Sequence, residues 1–209
     1  MTVRRKLISV LPLVVLLGTG CALWDDNYSR KSAPSGLIAT PANYYSTTKA
    51  RHLGTKYKDN LDRLAEHILR NSNTSQLQFA NNISSVGGIG FFTHSATKTP
   101  DERYLEVVLS APETFETKGN YSEKVNRLFS RFGRDLLGIL AADNQIYQDK
   151  DLSGYGPNLT WRQVIPGPSA NRITMARAII YFNKARVSSF LRKETNQNEL
   201  LSDAVIFAM

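Results

Sequence analysis

The 209-residue chain has the length of one globular domain. Its composition, 42% hydrophobic and 21% charged residues, argues against a largely disordered or fibrous protein. The formal net charge of +8 raises the question of nucleic-acid binding, and the single cysteine excludes both an intramolecular disulfide and a Cys-rich zinc site.

Residues 1–20 have the three parts of an export signal. A cationic start at residues 4–6 is followed by an apolar run over residues 7–17. Those eleven residues span about 16 Å as a helix, about half of a bilayer's hydrocarbon core, which fits a signal-peptide core better than a membrane-spanning helix. The small residues Gly18-Thr19-Gly20 then lead directly to Cys21.

This arrangement resembles the signal peptide of bacterial lipoproteins, which is cut directly before a lipidated cysteine. Gly18 stands where that family usually has Leu, and Leu17 is one position further back. The resemblance implies that the Cys21 thiol receives a diacylglyceryl group, that residues 1–20 are removed, and that the lipid holds the protein at a membrane. Ala22, rather than Asp, follows the cysteine, which by the family's rule in enteric bacteria implies the outer membrane, facing the periplasm.

Three alternatives to lipidation remain at this point. Gly18-Thr19-Gly20 also fits cleavage by an ordinary signal peptidase, which would give a soluble secreted protein. An uncleaved anchor and a buried N-terminal helix are the other two. In each case where residues 1–20 are removed, three basic residues and no acidic one leave with them, so the remainder carries 23 basic and 18 acidic side chains.

After the signal, residues 21–47 contain breaker clusters at 33–36 and 40–43, which predict a flexible tether. An extended arm packed on the domain through Tyr44 and Tyr45 is the alternative. The globular domain is expected over residues 48–209. It begins with apolar residues at helical spacing, which predict a helix over 48–70.

The next segments predict a β-hairpin. Residues 83–93 are β-branched, aromatic and glycine-containing, which predicts a strand with a bulge or a close backbone approach. Residues 104–109 predict its partner strand, and 111–119 a loop. Asn120 with Glu123 then forms a capping-box pattern that begins a long amphipathic helix ending near Asp143.

Residues 145–148 and 159–164 predict two further strands joined by a turn. Residues 177–183 predict another strand, although 173–191 also fits one long helix, and 199–208 predicts a terminal helix. The fold class expected from these elements is α+β. It is a single domain with an antiparallel sheet of four to five strands packed against two to four helices.

The predicted long helix carries basic residues at spacings of three and four, which places them in one sector of its surface. These residues form what we call the basic face: Lys124, Arg127, Arg131 and Arg134. Such a face is a candidate contact for anionic lipid headgroups, an acidic cell-wall polymer or an acidic partner protein. A solvated helix surface without a binding role is the alternative.

The segment after the helix contains half of a calcium-binding pattern. Asp149, Asp151 and Ser153 place oxygens at the first, third and fifth positions, and Gly154 is sixth. The twelfth position holds Thr160 instead of the bidentate Glu that such loops need. We therefore expect no metal, and interpret the segment as a polar turn in which Asp side chains accept from backbone amides.

Aromatic residues at this turn are candidates for protein contact. Tyr155 precedes a Gly-Pro pair and lies close in sequence to Trp161. An aromatic side chain beside a rigid turn, at the tip of a predicted hairpin, is a common type of recognition site. Tyr155 and Trp161 are therefore candidates for a binding surface, and burial in the core is the alternative.

Catalytic patterns are weaker than these binding candidates. His94 and Ser95 can be combined with Asp101 as a triad, but no nucleophile elbow is present. Glutamates that could supply a glycosidase carboxylate pair occur at Glu106, Glu113 and Glu116. Neither set points to a specific reaction.

The function expected from the sequence is that of a lipid-anchored cell-envelope protein. It would act by binding, as an accessory subunit of a secretion, export or surface-appendage complex, with an envelope protein as partner. An exported chain seldom meets nucleic acid, and no recognition motif is present, so we expect no nucleic-acid partner and no cofactor. An exported cell-wall or polysaccharide hydrolase and a periplasmic ligand carrier are the alternatives, and the oligomeric state stays open.

Overall fold

The chain forms helices and a mixed β-sheet, as described by a computed structural model over residues 39–79, 88–93 and 102–208. The helices are α1 (Thr48–Lys56), α2 (Lys58–Arg70), α3 (Tyr121–Leu128), α4 (Arg134–Ala141), α5 (Asn144–Gln148), α6 (Lys184–Leu191) and α7 (Gln197–Ser202). A π-helical turn, Phe129–Gly133, joins α3 to α4. The strands are β1 (Gln78–Phe79), β2 (Ile89–Phe92), β3 (Tyr104–Glu116), β4 (Gly154–Ile165), β5 (Arg172–Asn183) and β6 (Val205–Ala208).

The predicted α+β fold class is confirmed, with two corrections to the sheet. The described strands number six rather than four or five, in the order β1-β3-β4-β5-β6, with β2 also pairing β3. The pair β3–β4 is parallel, while the other pairs are antiparallel. Parallel neighbours need a long crossover, and the chain supplies one through α3, α4 and α5. The described helices also exceed the two to four expected.

The predicted helix over 48–70 is confirmed as α1 and α2, which meet at Tyr57. The Thr47 hydroxyl caps α1 by accepting from the Ala50 amide at 3.3 Å. Tyr57 has φ −113° and ψ 20°, which bends the chain between the two helices. The buried apolar residues of the pair follow the predicted stripe: Leu53, Leu61, Leu64, Ala65 and Ile68.

The described part of the predicted tether, residues 39–47, packs on the domain. The Thr40 amide donates to the Ile89 carbonyl at 2.8 Å, beside a parallel bridge from Ala39 to Ile89. The Tyr45 side chain is buried, and its hydroxyl accepts from the Phe91 amide at 3.2 Å. The packed-arm alternative therefore describes residues 39–47. Residues 21–38 lie outside the described part of the chain.

One predicted loop belongs to a strand, and one predicted strand is a helix. Strands β2 and β3 pair antiparallel as predicted, but β3 continues to Glu116 through the segment 111–119 that was predicted as a loop. Its register shifts between Ser110 and Thr114, around Pro112, because proline has no amide to donate to the ladder. Residues 145–148, predicted as a strand, form α5, whose first amides donate to the Asp143 carboxylate.

The C-terminal third combines two alternatives that the sequence left open. Strand β5 covers the strand predicted over 177–183, and α6 begins directly after it, where the Asn183 side chain accepts from the Ala185 amide. The terminal helix predicted over 199–208 is wrong in its second half. Helix α7 ends at Ser202, and the apolar residues that follow form β6 on the edge of the sheet.

The two faces of the sheet differ in what covers them. Leu105, Val107 and Leu109 of β3 share one core with buried helix residues such as Phe132 and Leu136. Alternate residues point to the opposite face, where a second apolar cluster contains only strand residues: Tyr104, Ile179, Tyr181 and Phe207. The described helices thus lie on one side of the sheet.

Side-chain burial ends before the long strands do. Burial ends at the same level in three strands, at Ala111, Trp161 and Ala176. Beyond that level β4 and β5 continue as a paired hairpin from Arg162 to Met175, with register Arg162↔Met175 and Val164↔Ile173. Four residues of strand extend about 13 Å. We call residues 162–175 the hairpin end.

Candidate binding surface

Three arginines of the predicted basic face form a row along α3, the π-helical turn and α4. Arg127, Arg131 and Arg134 are exposed, and each guanidinium lies over an aromatic ring. The ring centroids are 5.6 Å away for Arg127 on Phe115, 4.9 Å for Arg131 on Phe132 and 4.5 Å for Arg134 on Phe190. Stacking reduces the rotamer freedom of these side chains, so less entropy is lost when they bind an anion. We call these three residues the arginine row.

Lys124 does not belong to this row, contrary to the prediction for the basic face. Its side chain is buried, and its ammonium donates to the carbonyls of Glu116 at 2.5 Å and Thr117 at 3.3 Å. Lys124 therefore fixes the end of β3 against the first turn of α3. Helical spacing placed it beside Arg127 but could not show that a strand end lies over it.

The three arginines of the row differ in whether a neighbouring group offsets their charge. Arg131 binds the carboxylate of Glu113 and the side-chain amide oxygen of Gln76, which offsets its charge. Arg134 donates to the Phe190 carbonyl at 3.1 Å. Among the described residues, neither Arg127 nor Arg134 has a carboxylate within 4.0 Å. These two cations are the ones that an acidic ligand could neutralise.

An open cleft of about 620 Å³ lies at the Arg134 end of the row. It lies between the π-helical turn and the segment joining α6 to α7. There the Gln197 side chain donates to the Ser130 hydroxyl at 2.7 Å. Its lining is mainly polar and carries both signs of charge, with the cations Arg134 and Lys193 and the carboxylates Glu194 and Glu199. Polar groups of this kind can bind an extended peptide segment beside a cationic row.

Tyr155 and Trp161 are buried, so their prediction as surface contacts is wrong. Both have 0% of their surface exposed, because Gly154–Pro157 is part of β4 in the middle of the sheet instead of a hairpin tip. Trp161 packs against Tyr121, with ring centroids 5.5 Å apart. A side-chain carbon on Gly154 would lie 1.8 Å from the Phe182 carbonyl oxygen, so this glycine allows strand pairing and not a turn.

The segment with half of a calcium-binding pattern is a polar turn, as predicted, and lysines bind its carboxylates. Asp149 accepts from the Asp151 amide at 2.8 Å, from Lys56 Nζ at 2.7 Å and from the Tyr57 hydroxyl at 2.7 Å. Asp151 pairs with Lys49 at 3.2 Å. Burial alone would raise the pKa of Asp149, but these hydrogen bonds together lower it to about 2.

Ser153, the third candidate ligand, accepts a hydrogen bond from the Arg103 amide at 3.2 Å. Across the part of the chain that the structure describes, no group of three or more His, Cys, Asp or Glu residues could hold a metal ion. The contacts of Asp149 and Asp151 with the lysines and Tyr57 join the α1–α2 corner to the turn before β4.

The structure shows a buried polar cluster that sequence analysis missed. Glu106 lies on the sheet face opposite the helices, where it accepts from Asn158 Nδ2 at 2.7 Å and from the Tyr181 hydroxyl at 2.9 Å. Arg177 Nε donates to Asn158 Oδ1 at 2.6 Å. Burial raises the pKa of Glu106, although Asn158, Arg177 and Tyr181 act in the opposite direction. The one available signal was a glutamate inside the apolar run of residues 104–109.

The glutamates do not form the carboxylate pair that a glycosidase would need. Glu106 points away from the helices, whereas Glu113 meets Arg131 on the helix side. The triad candidates His94, Ser95 and Asp101 lie outside the described residues. Cys21 and the signal sequence lie outside them as well.

The hairpin end is a second feature that sequence analysis missed. Ile173 and Met175 are 62% and 53% exposed, the highest values among the large apolar side chains in the described part of the chain. Both occupy the same face as the half-buried Val164. The alternation of residues 172–175 was visible in the sequence, but only the structure shows that Ile173 and Met175 lie on the sheet face opposite the helices, beyond the buried Arg177 and Ile179.

Comparison with known proteins finds no matching family model, curated protein or solved structure. Within the described ranges, none of the helices has the length and apolar character needed to span a bilayer.

Proposed function

We propose that this protein is a lipid-anchored protein of the bacterial cell envelope, attached through Cys21 to the outer membrane and facing the periplasm. Its domain acts by binding an envelope protein, as an accessory subunit of a secretion, export or surface-appendage complex. The N-terminal sequence supports the anchor, through the cationic start, the short apolar run and the small residues before the cysteine.

The arginine row is the observation that supports a binding role. Its guanidiniums are exposed yet each is held on an aromatic ring, so the row is preorganised for an anionic ligand. Arg127 and Arg134 keep their full charge, and the cleft beside Arg134 offers hydrogen-bonding groups to a peptide backbone. An acidic, extended segment of a partner protein fits this combination.

Charge reversal on the row tests the binding role. Arg127→Glu should reduce recovery of the partner after cross-linking in intact cells by about tenfold or more, because it replaces an attraction with a repulsion. Lys58→Glu is the matched control, since Lys58 is an exposed cation at the start of α2, away from the row. Arg131→Glu is less suitable because it also breaks the contact with Glu113.

Binding through the row would be refuted if the Arg127→Glu and Lys58→Glu proteins gave equal recovery of the cross-linked partner, with folding unchanged by circular dichroism. Lipidation is tested separately by labelling cells with a fatty acid. The label should enter the native protein and be absent from the Cys21→Ala variant.

A further inference from the structure

The hairpin end combines exposed apolar side chains with an unusual charge distribution. No Asp or Glu occurs from residue 152 to residue 193, a stretch that contains seven Lys and Arg residues. Within the hairpin end, Arg162 and Arg172 are exposed, and among the described residues neither has a carboxylate within 4.0 Å. Among the described residues that pair with the hairpin end, Glu116 of β3 is acidic, and it lies opposite Val164.

Apolar and cationic side chains lie next to each other on this projection. Arg162 is directly opposite Met175, on the same face as Ile173, whereas Arg172, which precedes Ile173 and pairs with Ile165, points to the other face of the same hairpin. The residues between the strands, 166–171, are exposed and uncharged, with the sequence Pro-Gly-Pro-Ser-Ala-Asn. A surface of this type fits the boundary between the headgroups and acyl chains of a bilayer, where apolar groups insert and cations meet phosphates.

We propose that the hairpin end is a second membrane contact, which inserts Ile173 and Met175 into a lipid surface with anionic headgroups. Arg162 and Arg172 bind the headgroup phosphates beside the inserted side chains. Exposure and charge support this contact independently of the anchor, whereas the simultaneous reach of both contacts rests on the proposed lipid anchor.

The length of chain between Cys21 and Ala39 permits both contacts at once. Eighteen residues reach at most about 60 Å when fully extended. Ala39 lies beside Ile89, which is in register through Val107 with Pro157 of β4. From Pro157 to Ile165, at the far end of β4, eight residues of strand cover about 26 Å. The anchor therefore reaches the membrane plane that the hairpin end would touch, and contact there would orient the domain on the bilayer.

A fluorescent probe at the tip of the hairpin end tests the contact. Ala170→Cys in the acylated protein receives an environment-sensitive dye, since acylation leaves no other thiol in the chain. Ala185→Cys is the matched control, since Ala185 is an exposed alanine in the first turn of α6, directly after the opposite end of β5. Both proteins are placed in phosphatidylcholine vesicles with or without about one-third phosphatidylglycerol, a fraction that gives an anionic surface.

We expect the emission of the dye at position 170 to shift to shorter wavelength, and to be quenched by acyl-chain quenchers, in the anionic vesicles only. Position 185 should stay in water in both. Ile173→Ser with Met175→Ser should reduce the quenching at least fivefold, while Leu69→Ser, which removes another exposed apolar side chain, should leave it unchanged.

Three results would overturn the proposal. They are a probe at 170 that stays in water on anionic vesicles, equal responses with and without phosphatidylglycerol, and a protein cross-link at 170 in place of lipid quenching. Mass spectrometry of Cys21 in the same preparation separates this proposal from the anchor. If the thiol carries no lipid, the anchor is refuted. The fluorescence measurement at position 170, made on the Cys21→Ser chain, still decides the hairpin contact.

Discussion

Replacement of Asp149 by Asn should weaken the fold in a way that depends on pH. The carboxylate of Asp149 joins Lys56 and Tyr57 at the α1–α2 corner to the turn before β4. Asn keeps the oxygen that accepts from the Asp151 amide but loses the negative charge. The substitution therefore removes the charge together with the oxygen that accepts from Lys56 and Tyr57.

The expected loss follows from the pKa of Asp149, which is lowered from 3.8 to about 2. A difference of this size corresponds to at most about 2.5 kcal/mol, at about 1.4 kcal/mol per pKa unit. The Lys56 side chain is 48% exposed, and solvent screens an exposed partner, so we expect a loss of about 1–1.5 kcal/mol at neutral pH. Because the folded-state pKa is depressed, this stability is present above pH 3.8 and disappears as the pH falls towards 2.

Urea unfolding of both proteins from pH 7 down to pH 2 measures this difference. Asp151→Asn is the matched control in the same turn, since its partner Lys49 and Asp151 itself are both partly exposed, and it should cost less than about 0.5 kcal/mol. Added calcium should change neither protein. A difference independent of pH, or a calcium-induced rise in stability that Asp149→Asn abolishes, would refute the reasoning.

Further predictions concern the buried glutamate and two glycines. Burial raises the pKa of Glu106, so its ionisation opposes folding. The stability of the native protein should therefore fall as the pH rises above 4.5, and Glu106→Gln should abolish this fall. A pH-independent difference in urea unfolding between the two proteins would contradict this. Gly90→Ala should cost about 2 kcal/mol, since the new carbon would lie 2.4 Å from the Tyr45 hydroxyl. Gly138→Ala, whose new carbon meets only Leu191 at 3.9 Å, should instead stabilise the protein by about 0.5–1 kcal/mol. Thermal unfolding of the two Gly→Ala variants checks the opposite signs.

Helices were predictable where an apolar stripe repeated over several turns. The stripe from Val125 to Leu140 is buried as expected, and Asn120 caps the helix that carries it. Short segments were less predictable, because residues 145–148 have an apolar alternation that also fits one helical turn. What decides between the two is the Asp143 side chain, which binds the first amides of α5.

The parallel pairing of β3 with β4 could not be predicted from local patterns. Pro157 and the flanking glycines indicate a turn in most sequences. Here Pro157 lies in the strand opposite Val107, and the pairs flanking it with β5 are Tyr155↔Phe182 and Asn158↔Ile179. Only the crossover through three helices makes this register available, and that is a property of the whole fold.

The candidate site was predictable in composition but not in arrangement. The spacing of Arg127, Arg131 and Arg134 gave the exposed row, whereas the burial of Lys124 depends on the end of β3. The contacts of Glu106 with Asn158 and Tyr181 join three different strands. Such a cluster leaves no spacing signal in the sequence.

Mass spectrometry of the mature N-terminus tests the central proposal of a lipid-anchored envelope protein most directly. The account predicts a first residue at Cys21, carrying a thioether-linked diacylglyceryl group and an acylated amine. An N-terminus at another residue, or a Cys21 without lipid in protein isolated from its native membrane, would contradict it.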